Sequence, residues 1–231
     1  MTRDDLKLAA ARQALTVVES GTAIGLGTGS TVRHLVDLLG DALADGSLKD
    51  IVAVPTSVQT EHQARDRGIP LAELGQTPPL AVTIDGADEV SPDLDLIKGL
   101  GGALLREKMV AQASRTLVII CDETKLVDRL GTRAPLPVEV VDWAIGHQRR
   151  FLESLGATPE LRTRDDGTPV RSDNGNVFLD CAFSGGISDP VEVERALLYR
   201  AGIVDTGLFL GMTDEVVVAY ADGTKTLRRA P

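Results

Sequence analysis

The chain alternates between short apolar runs and longer stretches in which apolar residues recur every three to four positions. Short apolar runs are typical of strands buried on both faces, and the longer stretches are typical of helices that pack one face on a sheet. In the first half, the runs predict strands at 22–25, 51–54, 70–74, 80–84 and 116–121. Helices are predicted from a capping box at Thr2 and Asp5 to a stop at Gly21, over 35–43, at 57–67 and at 102–113. This alternation predicts an α/β fold with a parallel sheet.

A proline-rich segment at 134–137 separates this alternation from a different order of elements. Beyond it the pattern predicts strand 138–141, helix 143–155, strands 158–162 and 177–183, helix 191–201 and strand 204–210. The order β-α-β-β-α-β is that of a ferredoxin-like domain. Two further runs, 215–220 and 224–227, predict a hairpin that can return to the first sheet. We therefore predict a Rossmann-like parallel-sheet domain at 1–133 and 206–231, and a smaller α+β domain at 134–205.

The charge balance changes what kind of ligand is expected. Asp and Glu number 34 against 24 Lys and Arg, which gives a net charge of -10 over 231 residues. Such a chain has no overall positive field for a nucleic-acid backbone, so we expect no nucleic-acid partner. An anionic metabolite must instead be bound locally, by backbone N–H groups, hydroxyls and a few placed cations. The lysines are few and are candidates for positions that need a compact ammonium: Lys7, Lys49, Lys98, Lys108, Lys125 and Lys225.

Composition also argues against several classes of protein. Cys121 and Cys181 lie far apart in the sequence and are expected to be reduced thiols in a cytoplasmic core. The histidines are isolated and the sequence has no Cys-x-x-Cys motif, so we expect no metal site built from histidine or cysteine. The start of the chain has no signal-peptide pattern, and no apolar run approaches the ~18 residues of a membrane span. We therefore expect a soluble, cytoplasmic protein with no membrane partner.

A glycine-rich segment at 25–31, Gly-Leu-Gly-Thr-Gly-Ser-Thr, follows the first strand and opens a helix. Glycine permits close approach of a ligand, and a helix N-terminus favours an anion. The segment is not a Walker A loop, and Ser30 replaces the third glycine of the dinucleotide motif. A phosphate or sugar-hydroxyl site, with donors from Thr28, Ser30 and Thr31, fits better than a dinucleotide site. A tight strand-to-helix turn capped by Ser30 is the structural alternative.

Three carboxylates, Asp85, Asp88 and Glu89, follow another apolar strand at its carboxyl end. In open α/β sheets the carboxyl ends of strands line the ligand crevice, so the two aspartates around Gly86 are expected to point into it. A helix N-cap with solvated acids, or a loop for a divalent metal, are alternatives that this motif leaves open.

A third motif, at 98–108, combines a glycine-rich turn with a charged helix. Glu107 is predicted about one and a half turns into that helix, between Arg106 and Lys108. A glutamate in such a place is usually a surface ion-pair residue. Lys98 precedes the turn, however, and its combination with the aspartate pair favours a chemical role for Glu107.

Three co-linear segments, 27–31, 85–89 and 98–108, resemble the signature blocks of the type A ribose-5-phosphate isomerases. Segments 135–140 and 173–176 also resemble that family in the same order, so the resemblance covers essentially the whole chain. Leu100 stands where the family often has glycine, and Thr124 where serine is usual. The resemblance implies an enzyme without metal or cofactor that interconverts D-ribose 5-phosphate and D-ribulose 5-phosphate, through an enediol or enediolate, in the non-oxidative pentose phosphate pathway.

The resemblance also implies roles for individual residues. Glu107 is implied as the base that moves the proton, and Asp85, Asp88 and Lys98 as the residues that act on the substrate oxygens. The implied substrate-binding residues are Lys7, Thr28, Gly29, Ser30, Thr31, Asp85, Gly86, Ala87, Asp88, Lys98, Gly99, Leu100, Gly101 and Lys125. The implied partners are the sugar phosphate and further copies of the chain, as a homodimer or homotetramer, with 134–205 as a lid or oligomerisation domain.

The chemistry of isomerisation is consistent with these residue types. It needs a base that moves a proton between neighbouring carbons, a cation or donor for the enediolate oxygen, and acids that relay protons between hydroxyls. The alternatives are another sugar-phosphate enzyme of similar fold, such as an amino-sugar-phosphate deaminase or a coenzyme A transferase, and a non-catalytic sugar-phosphate sensor. A deaminase would need a histidine near its base, a transferase a longer chain, and a sensor a DNA-binding helix-turn-helix. The three motifs contain no histidine, and the 231 residues are fewer than a transferase normally needs. The single helix predicted before the first strand leaves no room for a helix-turn-helix.

Overall fold

The computed structural model describes residues 2–229 and divides into two compact units. Unit 1 contains the chain up to Ala87, Arg106–Lys125, and the chain from Met212 onward. Unit 2 contains Asp88–Leu105 and Leu126–Gly211. Each unit has a hydrophobic core of its own. The catalytic role of the predicted domain 1–133 with 206–231, and the lid or oligomerisation role of 134–205, stay predictions.

Six α-helices and thirteen strands form within the described residues. The helices are α1 (Arg3–Leu15), α2 (Ser30–Ala44), α3 (Val58–Asp66), α4 (Leu104–Gln112), α5 (Ile145–Ser154) and α6 (Pro190–Leu198). The strands are β1 (Ala23–Leu26), β2 (Val52–Pro55), β3 (Val82–Asp85), β4 (Glu89–Val90), β5 (Leu96–Ile97), β6 (Leu117–Asp122), β7 (Leu136–Val140), β8 (Ala157–Leu161), β9 (Val177–Phe183), β10 (Ile203–Thr206), β11 (Leu208–Phe209), β12 (Glu215–Tyr220) and β13 (Gly223–Arg228). A short 3₁₀ helix spans Glu123–Lys125.

The first helix begins where the sequence predicts. The Thr2 hydroxyl accepts from the Asp5 N–H at 3.2 Å, and the Asp5 carboxylate accepts from the Thr2 N–H at 2.7 Å, which completes the capping box. The helix ends at Leu15, well before the predicted stop at Gly21. Residues 16–18 are all β-branched, and β-branched side chains are stiff and crowded in a helix, which explains the early end.

Unit 1 is built on a six-stranded sheet with the order β13-β12-β6-β3-β1-β2. Every neighbouring pair is parallel except β12 with β13, which form the predicted antiparallel hairpin. The hairpin returns to this first sheet, as predicted, because β12 pairs with β6. The main core of the unit is made by apolar residues of α1, α2 and the strands, such as Leu35, Ile24 and Ile84. The predicted α/β class with a mostly parallel sheet is therefore confirmed.

The predicted strand at 70–74 is wrong. Leu71 forms only an isolated bridge with Ala53 of β2. A turn follows at once, in which the Gln76 N–H donates to the Glu73 carbonyl at 3.1 Å. The apolar run is too short to extend the sheet before the chain turns away.

Unit 2 contains a four-stranded antiparallel sheet with the order β10-β7-β9-β8. Its chain order of β7, α5, β8, β9, α6 and β10 confirms the predicted ferredoxin-like arrangement. A second sheet, with the order β11-β5-β4, was not predicted. The predicted strand 204–210 splits at Gly207 into β10 and β11. A Cβ on Gly207 would lie 2.2 Å from the Lys98 carbonyl oxygen, so only glycine permits the close approach at this break.

Two further expectations concern membrane-spanning helices and the state of the cysteines. Over residues 2–229, none of the helices combines the length and the apolar content that crossing a bilayer requires. Cys121 and Cys181 are free and buried, as predicted. Burial, with a smaller contribution from the negative charge of Asp122, raises the pKa of Cys121 to about 12. The thiol is therefore protonated and unreactive at neutral pH.

Candidate active site

Two of the predicted ligand-binding loops meet at one edge of the unit 1 sheet. β2 lies on one side of β1 and β3 on the other, so the strand order reverses between β1 and β3. At such a switch point the carboxyl ends of the strands open a crevice, where α/β proteins bind ligands. The loop 27–29 leaves β1 there, and residues 85–87 end β3 there.

The Asp85 carboxylate ties these two loops together. It is 1% exposed, and its Oδ1 accepts from the Thr28 N–H at 3.0 Å and from the Gly86 N–H at 2.7 Å. A Cβ on Gly27 would lie 2.1 Å from the same Oδ1, so the loop after β1 passes Asp85 too closely for any other residue. Asp85 therefore has a structural role in addition to the predicted one, since its carboxylate fixes the glycine loop.

The sequence did not predict the buried hydroxyl cluster that surrounds Thr28. The Thr28 Oγ1 lies 2.8 Å from the hydroxyls of Thr56 and Ser57 and 3.2 Å from that of Thr60. The Thr60 hydroxyl also donates to the Gly27 carbonyl at 2.8 Å. All four side chains are buried. The Thr28 hydroxyl thus anchors the loop to the start of α3.

Ser30 and Thr31 form the first turn of α2 and remain the loop hydroxyls nearest to solvent. The structural alternative, a turn capped by Ser30, is wrong, because the N-cap is Gly29, with a φ of +115° and no side-chain hydrogen bond to the helix. Ser30 is exposed and Thr31 is half-buried. The N–H groups at the start of a 15-residue helix are thus left to an anion or to water.

The two predicted phosphate lysines lie on elements of unit 1 that contact each other. Lys7 is on α1, and Lys125 ends the 3₁₀ helix that follows β6. The buried Asp122 carboxylate accepts from the Thr124 N–H at 3.0 Å and lies 3.8 Å from the Arg3 guanidinium, which donates to the Thr124 hydroxyl at 3.0 Å. These contacts join the start of α1 to the turn that carries Lys125. Both lysines are half-buried.

Glu107 is a buried helical carboxylate rather than a surface ion-pair residue. It is 4% exposed, and the following Lys108 is buried as well. Because α4 begins at Leu104, Glu107 lies in its first turn and not one and a half turns in, as the sequence suggested. The partial positive charge of a helix N-terminus stabilises an ionised carboxylate at this position. Burial keeps this carboxylate away from bulk water, and the helix N-terminus favours its ionised form.

Asp88 and Lys98 lie opposite each other in unit 2. β4 and β5 are antiparallel with Glu89 paired to Ile97, which places the residues just outside that pair side by side. The Asp88 N–H donates to the Ile97 carbonyl at 2.8 Å. Lys98 is 3% exposed, and its Nζ lies 5.4 Å from the centre of the Phe209 ring. A carboxylate and an ammonium separated by ten residues are thus brought to one place.

The glycine turn after Lys98 is held by Asp88. The Leu100 N–H donates to the Asp88 Oδ2 at 2.9 Å. Gly99 and Gly102 have φ values of +103° and +81°, a region that favours glycine. Leu100 is exposed and is not among the described residues with positive φ, so a side chain is accepted where the family often has glycine.

Glu89, the third carboxylate of the second motif, has a structural environment. It is fully buried, and its two oxygens accept from the N–H groups of Gly131, Arg133 and Ala134 at 2.5, 2.6 and 2.7 Å. It therefore fixes a loop of unit 2 and is not exposed to a ligand. In the part of the chain that the structure describes, no three His, Cys, Asp or Glu side chains are grouped as metal ligands.

Replacing Gly27 with Ala is expected to destabilise the protein by about 1–3 kcal/mol, because the new methyl would overlap the Asp85 carboxylate. Urea unfolding measures the change in the free energy of unfolding. Gly146→Ala in α5 is the control, since its Cβ would meet nothing closer than the Arg150 Nη1 at 4.0 Å. A Gly27→Ala protein as stable as the control would contradict the close packing of the loop on Asp85.

Comparison with known proteins agrees with these motifs. The family model described as Ribose 5-phosphate isomerase A (phosphoriboisomerase A) matches residues 52–223. A relative from Desulfatibacillum aliphaticivorans, named Ribose-5-phosphate isomerase A, is 49% identical over 229 residues, and the match covers 99% of each chain.

Solved structures of relatives have the same fold. A D-ribose-5-phosphate isomerase in complex with phospho-erythronic acid superposes with a TM-score of 0.96 at 40% identity, covering 99% of this chain and 100% of that one. Ribose 5-phosphate isomerase A from Methanocaldococcus jannaschii gives a TM-score of 0.93 at 37% identity, covering 98% of this chain and 100% of that one.

Proposed function

Because this chain belongs to the ribose 5-phosphate isomerase A family, and is therefore an aldose–ketose isomerase, we propose that it interconverts D-ribose 5-phosphate and D-ribulose 5-phosphate with Glu107 as the base. The observation that carries the choice of base is the position of Glu107, a carboxylate only 4% exposed in the first turn of α4. The family match favours isomerisation over the deaminase, transferase and sensor alternatives.

The reaction moves one proton between neighbouring carbons. Glu107 removes the proton from C2 of the open-chain aldose, the electron pair forms the C1–C2 double bond, and O1 becomes the enediolate oxygen. A proton is then delivered to C1, O1 takes up a proton to become the C1 hydroxyl, the O2 hydroxyl loses its proton, and the carbonyl forms at C2. Electrons balance without any oxidant or reductant, so the proposed reaction uses no cofactor.

The substrate oxygens are assigned to Asp85, Asp88 and Lys98. The Lys98 ammonium is suited to the negative charge that develops on the enediolate oxygen, because a fixed cation at a buried position needs little reorganisation. Asp85 and Asp88 are assigned the proton transfers at the hydroxyls and at ring opening.

The phosphate group is assigned to residues of unit 1. The residues of unit 1 that we assign to phosphate binding are Lys7, Lys125 and the loop residues Thr28, Gly29, Ser30 and Thr31. The free N–H groups at the start of α2 favour a phosphate dianion. The Thr28 hydroxyl contributes indirectly, because it anchors the loop through its bonds to Thr56 and Ser57. The remaining substrate-binding assignments are Gly86, Ala87, Gly99, Leu100 and Gly101, through their backbone.

The phospho-erythronic acid bound by the solved relative supports this chemistry. That molecule carries a phosphate and a planar carboxylate with two oxygens, which is the charge distribution of a phosphorylated enediolate. We expect it to inhibit this enzyme as an analogue of the intermediate. A cytoplasmic location, a place in the non-oxidative pentose phosphate pathway and a homodimer or homotetramer remain predictions.

Incubation with ribose 5-phosphate in D₂O tests the proposed reaction. We expect ribulose 5-phosphate to form and deuterium to enter at carbon, because a base that carries a proton between C2 and C1 exchanges it with solvent. The reaction is run with a chelator such as EDTA, and the rate is expected to persist. Proton and carbon NMR follow both products. Conversion without deuterium at carbon would contradict exchange of the carried proton with solvent, and the absence of any conversion would overturn the proposed function.

A further inference from the structure

Arg162, the residue that follows β8, holds the glycine turn of unit 2 from the side opposite to Asp88. Its Nη1 donates to the Gly99 carbonyl at 3.0 Å and to the Leu100 carbonyl at 3.1 Å. These two residues belong to the turn between Lys98 and α4. A guanidinium from a distant part of the sequence therefore fixes the backbone next to two residues to which the proposed function gives chemical roles.

The guanidinium of Arg162 is itself fixed in place. Its Nε donates to the Asp180 Oδ2 at 2.8 Å and its Nη2 to the Asp180 Oδ1 at 2.5 Å. Its carbon lies 4.6 Å from the centre of the Phe178 ring. The Arg162 and Asp180 side chains are 14% and 20% exposed. A bidentate ion pair combined with stacking on an aromatic ring uses the planar fork of arginine, which lysine does not have.

The peptide between Gly99 and Leu100 lies between two opposite charges. Its carbonyl accepts from Arg162, and its N–H donates to the Asp88 carboxylate. In a trans peptide the carbonyl and the N–H point in opposite directions, so the guanidinium and the carboxylate hold the same peptide from its two ends. Rotation of this peptide would break both contacts at once. Gly99 has a positive φ, which residues other than glycine rarely adopt.

We propose that Arg162 is a positioning residue for the isomerisation. It fixes the Gly99–Leu100 peptide, whose N–H orients the Asp88 carboxylate, and it keeps the backbone after Lys98 in place. Arg162 acts through these groups and does not touch the substrate. The inference rests on the proposed function, because only there do Asp88 and Lys98 act on the substrate oxygens.

Replacing Arg162 with Lys keeps the charge and removes the planar fork. We expect kcat to fall by up to about 10²-fold, because a displacement of catalytic groups by about 1 Å costs that much. KM for ribose 5-phosphate is expected to rise by a smaller factor than kcat falls, since Gly99 and Leu100 are assigned to substrate binding but the proposed phosphate-binding residues belong to unit 1. Because unfolded enzyme would also lower the apparent kcat without changing KM, kcat is calculated from the concentration of folded protein, measured by circular dichroism.

Arg164→Lys is the matched control. Arg164 is exposed, lies two residues further along the chain, and donates to Thr168 and Pro169 of its own hairpin. We expect wild-type kcat and KM for this variant. An Arg162→Lys enzyme with the same kcat as Arg164→Lys would overturn the proposal.

Hydrogen exchange of the free protein tests the positioning without any assay of activity. We expect the Leu100 amide to exchange about tenfold faster in Arg162→Lys, because the peptide loses its contact with Arg162 and keeps only those with Asp88 and with the Gly102 N–H, which donates to the Gly99 carbonyl at 3.0 Å. It should be unchanged in Arg164→Lys. If the wild-type protein failed to isomerise ribose 5-phosphate, the proposed function would fall while this exchange result still stood. Unchanged Leu100 exchange in Arg162→Lys overturns the proposal.

A second variant covers the case in which Arg162→Lys folds poorly. The double variant Arg162→Gln with Asp180→Asn removes both charges, so no buried carboxylate is left unpaired. We expect a thermal midpoint close to that of the wild type and the same selective loss of kcat. A well-folded double variant with wild-type kcat would overturn the proposal.

Discussion

Replacing Glu107 with Gln is expected to lower kcat by about 10²- to 10⁴-fold, the usual contribution of a positioned general base. Glutamine has the same shape but cannot accept the C2 proton. KM for ribose 5-phosphate should change little, because the group that is lost acts in the transition state more than in binding. Steady-state kinetics with ribose 5-phosphate measure both constants, and the thermal midpoint shows whether the fold is retained.

Glu153→Gln provides the control for this change. Glu153 is an exposed glutamate of α5, so the same substitution there should leave kcat, KM and the thermal midpoint unchanged. A Glu107→Gln enzyme that turns over at a near-normal rate would rule out Glu107 as the base. Loss of deuterium incorporation from D₂O in parallel with kcat would support the assignment.

Replacing Lys98 with Met is expected to lower kcat by about 10²- to 10³-fold, the usual effect of removing a donor to a developing oxyanion. Methionine keeps the apolar stem, which can still pack on the Phe209 ring that now lies beneath the ammonium. The inhibition constant of phospho-erythronic acid should rise along with the loss of kcat/KM, since a bound analogue of the intermediate depends on the same charge.

Lys49→Met is the matched control, because Lys49 is an exposed lysine outside the three motifs. Its kinetics and its inhibition by phospho-erythronic acid should be those of the wild type. If Lys98→Met lost kcat but bound the inhibitor as tightly as Lys49→Met does, Lys98 would not stabilise the charge of the intermediate. Its role would then be limited to the structure of the turn.

Features of the fold that depend on local periodicity could be predicted from the sequence. The helices and the long strands have their apolar residues at the spacing that burial requires, so the α/β unit and the ferredoxin-like order were both predicted. β4, β5 and β11 could not be predicted, because two residues carry no period. Their pairing depends on contacts between distant segments, and it is this pairing that brings Asp88 and Lys98 together.

The parts of the site that were missed depend on side chains distant in sequence. Thr56, Ser57 and Thr60 belong to the hydroxyl cluster, but the sequence predicts only a helix that starts at Ser57, and Ser57 does cap α3. The signal that could have found the cluster is its position directly after β2. Because β1 and β2 are parallel neighbours, the residues that follow them lie at the same edge of the sheet. Arg162 gave no local signal at all, because Arg162, Gly99 and Asp180 lie in three separate segments of the sequence.

The position of β12 has a consequence for how the chain is made. β12 follows all of unit 2 in the sequence, yet it lies between β6 and β13 in the unit 1 sheet. During translation, β6 therefore has an open edge until 215–220 leaves the ribosome, and an open edge pairs readily with foreign strands. The ferredoxin-like sheet, whose last strand ends at Thr206, can form before that point. A chain that ended between the two events would have one finished unit and one sheet with an open, aggregation-prone edge.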